Sequence, residues 1–398
     1  MSTTPLFPPD SGNKQRHLEE LYTLSKAGYH IGLVIVGAKD CLRTRAALAE
    51  ICHSILFLPV NSASIRIQQF FLLKPKWLSY GLNHNSRQQL QALFESMPLA
   101  TVIANYFLSF SLVKSISPAH LGKTIFVPHD IVSEFYCNAL KLTPSIFKKI
   151  YYYFELVKHK YYELDLLKQV RHLVAFTKHD LNYYFPKSFT SDFIVSPVSS
   201  DFTLGDKFYD APPRIQHARE INIKKCFAIV ASGKHPLGRN EINRFINKLP
   251  LCLRGKAEIH IIGGGWPLGR HNYGNLTVNY LGYVDDLKAT CSNYLALIVP
   301  IFFPTGINVK LVQCLSYGPP VIATLSSVAL LPKPESCPAI QCLSIQDFAN
   351  EIDRLMSIGD QDCQLTRLES SRQNSDYLSM NLSSSAIMNS FLNYIENV

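Results

Sequence analysis

The feature that most constrains this chain is an alternation of short apolar runs with longer segments of helical spacing. Runs at 30–36, 54–60, 100–106, 124–128, 173–176 and 193–196 form one series, and runs at 226–231, 258–262, 278–280, 295–299, 320–323 and 339–343 form a second. Runs of about five to seven residues that stay apolar throughout suit parallel strands covered on both faces. Parallel neighbours need a crossover, and segments such as 15–27 and 240–248 supply it. Two such series predict two doubly wound α/β domains. The break falls where "SPVSSDFTLGDKFYDAPPR" gathers turn-forming residues. Residues 1–200 are therefore expected as the first domain, 201–224 as a linker and 225–375 as the second domain. Residues 376–398 are expected as a terminal helix packing back on the first. One irregularity stands at the start: only "STTPLF" precedes "PPDSGNK", so the first strand is expected to be very short, or the start to lie upstream.

A length of 398 residues exceeds what one core usually holds, and 47% hydrophobic with 17% charged residues is a globular balance. No apolar run reaches the roughly 20 residues that span a bilayer. The first nine residues lack the basic and apolar regions of a secretory signal. Ten cysteines include no C-x-x-C pair, and the nearest two, Cys337 and Cys342, have no histidine at zinc-site spacing. Reduced thiols, a cytoplasmic location and no metal site are expected. The net charge of +9 favours an anionic partner: a nucleotide, a membrane surface or a nucleic acid.

"TGINVKLVQCLSYGPPVIAT" carries the most chemistry. Ile307, Leu311, Val312 and Leu315 fall at helical intervals as a buried stripe. Thr305 is the expected N-cap, and Gly318 followed by two prolines the expected stop. Lys310 and Gln313 lie off the stripe near the N-terminus, where free N–H groups and the positive dipole end suit an anion. A solvated helix face is the commoner explanation of two such residues.

The ordered set "PPDSGNKQR", "ATVIANYFLSFSLV", "TIFVPHD", "VASGKHPLGRNEINRF", "EIHIIGGG", "VNYLGYVDDL", "ALIVP" and "TGINVKLVQCLSYGPPVIAT" resembles the group 1 glycosyltransferases, the retaining family 4, over nearly the whole chain. The resemblance implies the GT-B architecture: two doubly wound Rossmann-like domains facing a cleft, with a nucleotide sugar held mainly by the C-terminal one. It implies glycosyl transfer from a nucleotide-diphosphate sugar to a carbohydrate, lipid-linked or protein acceptor, with no separate cofactor. It places Lys310 at the diphosphate with Lys234 and Arg239, a basic pair on the loop after the second domain's first strand. These charges would take the place of a metal, and no metal-binding Asp-x-Asp pair is expected anywhere in the chain. His129 of "FVPHD" would sit over the donor sugar, and Asp130 would cap the next segment. Gly12 and Asn13 belong to the first loop, Gly264 to a turn bordering the nucleotide, and Thr305, Gly306 and Gln313 to the donor helix. His235 shares the loop of Lys234 without an assigned role. The chain departs from the family in one respect: Thr305 and Gln313 occupy the positions of two glutamates. A Gln keeps one acceptor oxygen for ribose hydroxyls and loses the charge.

Two alternatives stay open, a degenerate GT-B module that binds without turnover and a nucleotide-sugar epimerase of the same fold. A last segment, "IFKKIYYYFELVKHKYYELDLLKQVRHL", interleaves basic and aromatic residues. It reads as a packed amphipathic helix of the first domain or as a helix for peripheral contact with the inner face of a membrane; a nucleic-acid surface comes last.

Overall fold

A computed structural model describes residues 1–2, 6, 12–37, 42–60, 74–78, 82–187, 192–200, 224–234 and 236–398. All twelve expected strands are present: β1 (Gly32–Val36), β2 (Ser54–Leu58), β3 (Val102–Asn105), β4 (Thr124–Val127), β5 (His172–Ala175) and β6 (Asp192–Val195) in the first half. The second half holds β7 (Lys224–Val230), β8 (Ala257–Ile262), β10 (Leu276–Gly282), β11 (Tyr294–Val299), β12 (Val321–Thr324) and β13 (Ile340–Cys342). One strand went unforeseen. β9 (Gly269–Tyr273) is exposed over most of its length and carries no apolar run, so it has no strand signature until it pairs antiparallel with β10.

In the first half β1 and β2 pair in parallel, and β3-β4-β5-β6 form a separate parallel sheet. Met1 and Ser2 lie between the two. Ser2 N–H donates to Val34 O and Val36 N–H to Ser2 O, both at 2.8 Å, while Asn105 N–H donates to Met1 O at 3.2 Å. Of the described residues these two occupy the place of a first strand. The second half is one sheet of seven strands, β13-β12-β11-β7-β8-β10-β9, parallel except for β9. The side chains of β11 are buried along its whole length, as a central parallel strand requires.

Apolar residues from Phe227 to Leu355 fill one face of the seven-stranded sheet, and a second cluster that includes Leu311, Leu315 and Tyr377 fills the other. The helix Asp360–Asn381 ends at Leu382 and is followed by the terminal helix Ser384–Glu396. Phe391, Tyr394 and Ile395 of that last helix belong to the core of the first domain, with Leu18, Ile35 and Val174. Tyr394 Oη accepts from Leu173 N–H at 3.1 Å. All but Lys224 of the expected linker lies outside the described residues. Among them no helix is long and apolar enough to cross a membrane.

Candidate active site

The C-terminal ends of β7, β8, β10 and β11 present four loops at one edge of the seven-stranded sheet, the edge where parallel sheets hold ligands. The first three are tied to one another. Gly233 N–H donates to Gly264 O at 2.9 Å, Gly263 N–H to Gly282 O at 2.8 Å, and the indole of Trp266 to Ala231 O at 2.9 Å. Gly263 and Gly265 have φ of +139° and +88°, conformations that favour glycine. Close approach adds a second reason, because a side chain at Gly263 would run into Ala231 O and one at Gly265 would bring Cβ within 2.7 Å of Lys234 N. Gly264 is buried under the ring of Tyr283, which itself is largely exposed.

Lys234 is exposed on this platform, with Nζ 5.7 Å from the centre of the Tyr283 ring. Arg239 is also exposed, its guanidinium 5.9 Å from the centre of the Trp266 ring. The loop placement expected for Arg239 is corrected: the helix begins at Pro236, whose fixed φ suits a first turn, so Arg239 stands on the opening turn of Pro236–Lys248. His235 lies outside the described residues.

Glu241, on the same helix, was missed. It occupies the buried stripe with Leu237 and Phe245, and an acidic residue on an apolar stripe was the available signal. Its Oε1 accepts from Phe302 N–H at 2.9 Å and Phe303 N–H at 3.0 Å, which shapes the loop after β11. Burial raises its pKa, while those N–H groups and then Lys310 work the other way. Burial likewise lowers the pKa of Lys310, against the attraction of Cys314 and Glu241. Lys310 is thus half-buried beside an acid at the base of the loop.

The donor helix starts later than expected, at Val309. Asn308, not Thr305, is its N-cap, with Oδ1 accepting from Leu311 N–H and Nδ2 donating to Ser327 Oγ. The stop is as expected, with Gly318 at φ +103°. Thr305 and Gly306 are freed to meet the other domain. Thr305 O accepts from Ile131 N–H at 3.4 Å, and a Cβ on Gly306 would lie 3.2 Å from Asp130 Oδ1 and 3.4 Å from His129 O. Gln313 reaches across the same seam, its Nε2 donating to Gln15 Oε1 at 3.4 Å. Asn138 Nδ2 completes the contact at Phe303 O, 3.5 Å away.

On the first domain's side, Gly12 and Asn13 open the helix Gly12–Lys26 rather than standing in a loop. The preceding residues of "PPDSG" lie outside the described residues. Asn13 hydrogen-bonds the Tyr106 hydroxyl. His129 was expected to present its side chain at the strand end. With φ at +67°, the residue turns its ring into the domain, where it is 4% exposed, stacked on Tyr106 at 4.1 Å and edge-on to Phe176. Its Nε2 lies 2.7 Å from Asn105 Oδ1 and 2.9 Å from His17 Nε2. Burial, with the nearby His17 and Arg16, holds its pKa well below the usual imidazole value, and burial brings His17 down to about 3. Both rings are neutral at physiological pH. The His129 backbone carbonyl, rather than its ring, faces Gly306. Asp130 does not cap the next helix, because Ile131 is the N-cap of Val132–Leu142. Its carboxyl faces the Gly306 loop, and burial raises its pKa to about 6.

The expectation that the chain holds no Asp-x-Asp pair is corrected: it contains one such triplet, Asp360-Gln361-Asp362. It opens the helix Asp360–Asn381, and Asp360 pairs with Lys225 at the start of β7, at the opposite end of that strand from the loops above. A cavity of about 370 Å³ lies beneath the first helix among Leu24, Gly32 and Ile103, bordering this site only at His17 and Asn105.

Residues 226–357, which contain all four of these loops, match the family described as glycosyl transferases group 1. No curated protein sequence matches the chain. Sucrose-phosphate synthase from Thermosynechococcus elongatus shares the fold at TM-score 0.64 and 12% identity, covering 100% of this chain and 98% of its own. HepE of Anabaena, solved with UDP and glucose, gives 0.63 and 10% over 100% and 98% of the two chains. WaaG, a glycosyltransferase of lipopolysaccharide biosynthesis, gives 0.55 and 12% over 97% and 96%. The chain has the GT-B fold, with two Rossmann-like domains.

Proposed function

We propose that this protein is a glycosyltransferase that moves a sugar from a nucleoside diphosphate sugar to an acceptor hydroxyl, with retention and without a metal ion. The observation that carries the reading is the gathering of Lys234, Arg239 and Lys310 at one edge of the donor sheet, each from a different loop or helix start. When the bond between the sugar and the diphosphate breaks, negative charge grows on the departing phosphate. Fixed cations in a site partly closed to water stabilise that charge more than they stabilise the bound donor. Gln313, at the seam, would hold the ribose, with Thr305 and Gly306 bordering the sugar.

HepE was solved with UDP and glucose, so UDP-glucose is the first donor to try. Melting temperature with UDP, GDP or ADP would identify the nucleotide, since a ligand that binds only the native state raises it. Hydrolysis of the matching nucleotide sugar then reports turnover without an acceptor. Lys310→Ala and Arg239→Ala should each lower kcat by roughly 100-fold or more with the fold retained. Wild-type rates in both variants, or activity that disappears with chelator and returns with manganese, would overturn the reading. Thr305 and Gln313, in place of two carboxylates, favour one rival: a module that binds a nucleotide sugar without turnover. That rival predicts a melting shift with no hydrolysis, whereas an epimerase would return an isomer of the donor.

A further inference from the structure

The helix Ile146–Leu167 packs against Val132–Leu142 with a mixed face inward, where Leu156, Leu166 and Leu167 are buried beside three polar residues. Glu155, His159 and Glu163, each one turn apart, are buried. Glu155 Oε2 accepts from Lys76 N–H at 2.8 Å, and His159 Nε2 lies 2.9 Å from Glu163 Oε2. The outward face is apolar. Phe147, Ile150, Tyr151, Phe154, Val157, Tyr161 and Leu164 follow helical spacing and are all exposed, Phe147 to 81% and Tyr161 to 74%. A surface helix normally keeps its apolar stripe for the core, and here a second apolar stripe faces outward. So large a contiguous apolar patch marks an interaction surface.

We propose that this face docks on an anionic lipid bilayer. Charge complementarity selects that partner. Lys148, Lys160 and Lys168 are exposed and Lys149 half-exposed along the same helix, while Asp165 is held by Lys114 at 2.8 Å. The whole chain carries +9. Lysines beside an aromatic stripe can extend their stems along the apolar surface and leave their ammonium groups among lipid phosphates. Each basic residue near such a surface contributes about 1 kcal/mol, and the helix, about 33 Å long, can lie flat along it. The helix stands one layer from the domain seam, because Val132–Leu142 lies between it and Phe303. Docking would hold the acceptor side of the cleft close to the headgroups, and a lipid-linked acceptor would then be within reach. That last step rests on the proposed glycosyl transfer; the docking does not.

The test is flotation of the full chain with vesicles of phosphatidylcholine alone or with about a third phosphatidylglycerol. Binding is expected only to the anionic vesicles and should weaken in high salt. Combining Phe147→Ser, Phe154→Ser and Tyr161→Ser should reduce binding at least tenfold, and charge reversal at Lys148, Lys149 and Lys160 should do the same. Neither set should lower the melting temperature or change its response to UDP, which keeps this test separate from that of the donor site. Failure of the wild type to float, or flotation unaffected by both sets, overturns the proposal. It is also overturned if the triple serine variant converts a dimer to a monomer, or if the helix retains oligonucleotides rather than vesicles.

Discussion

Gln313 shows how one atom can alter what a motif means. Its Nε2 donates to Gln15 Oε1 across the seam, a bond that the glutamate of the family could not make as a carboxylate. The amide therefore serves the contact between domains as well as any ribose. Gln313→Glu should keep donor affinity similar or tighten it, because a charged acceptor is restored. Gln313→Ala should weaken it by about 1–2 kcal/mol, roughly tenfold. Titration of the three proteins with the best nucleotide distinguishes them, and equal affinities would remove Gln313 from the donor site. At Asp130 the effect is one of pH. Its carboxyl titrates near 6 in the folded chain and near 3.8 when unfolded. The native state thus holds the proton more tightly, and the stability gained from it is complete below about pH 3.8 and lost as pH rises through about 6. Asp130→Asn should raise the melting temperature at pH 8 and make little difference at pH 4. Thermal melts across that range check the sign. Neither role was legible beforehand, since both depend on residues far away in the chain.

At the scale of elements, the loops after β7, β8 and β10 form a platform whose shape depends on backbone contact. Gly263→Ala would set a Cβ against Ala231 O at a φ of +139°, and a backbone atom cannot move aside as a flexible side chain can. A loss of about 2–4 kcal/mol is expected, with weakened nucleotide binding; chemical denaturation with and without UDP measures both. Gly264→Ala first meets the exposed Tyr283 ring, which can swing away, so its effect should fall on binding more than on folding. The strands were legible because a parallel strand buried on both faces is a continuous apolar run. β9 was not, because half of what makes it a strand is the hydrogen bonding of its partner. Thr305 failed as a cap for a related reason. Asn308, three residues on, has its own side chain over Leu311 N–H, and the Thr305 carbonyl is engaged by the opposite domain.

Over the whole molecule, the two halves are joined by more than the seam. Arg16 is 1% exposed, flanked by the Phe176 and Phe391 rings at 5.6 Å, and meets Glu19 at 3.5 Å, Glu20 at 3.1 Å and Ser196 Oγ at 2.7 Å. Glu19 in turn accepts from Ser199 Oγ at 2.5 Å and Ser384 Oγ at 2.6 Å. One buried ion cluster therefore ties the first helix to both segments that pass between the domains. Arg16→Ala leaves two carboxylates buried without their cation and should cost about 3–5 kcal/mol, a loss that denaturant unfolding would register. The sequence by itself determined the layered α/β character, the order of the strands and the edge at which Lys234, Gly264 and Lys310 gather. Burial periodicity and turn chemistry are local properties that a strand or a cap carries with it. Only the tertiary structure decided that His129 turns inward, that Glu241 shapes the loop beside Lys310 and that the aromatic helix faces outward. Each of these depends on which distant side chain supplies a hydrogen bond or excludes water, and no local pattern encodes that partner.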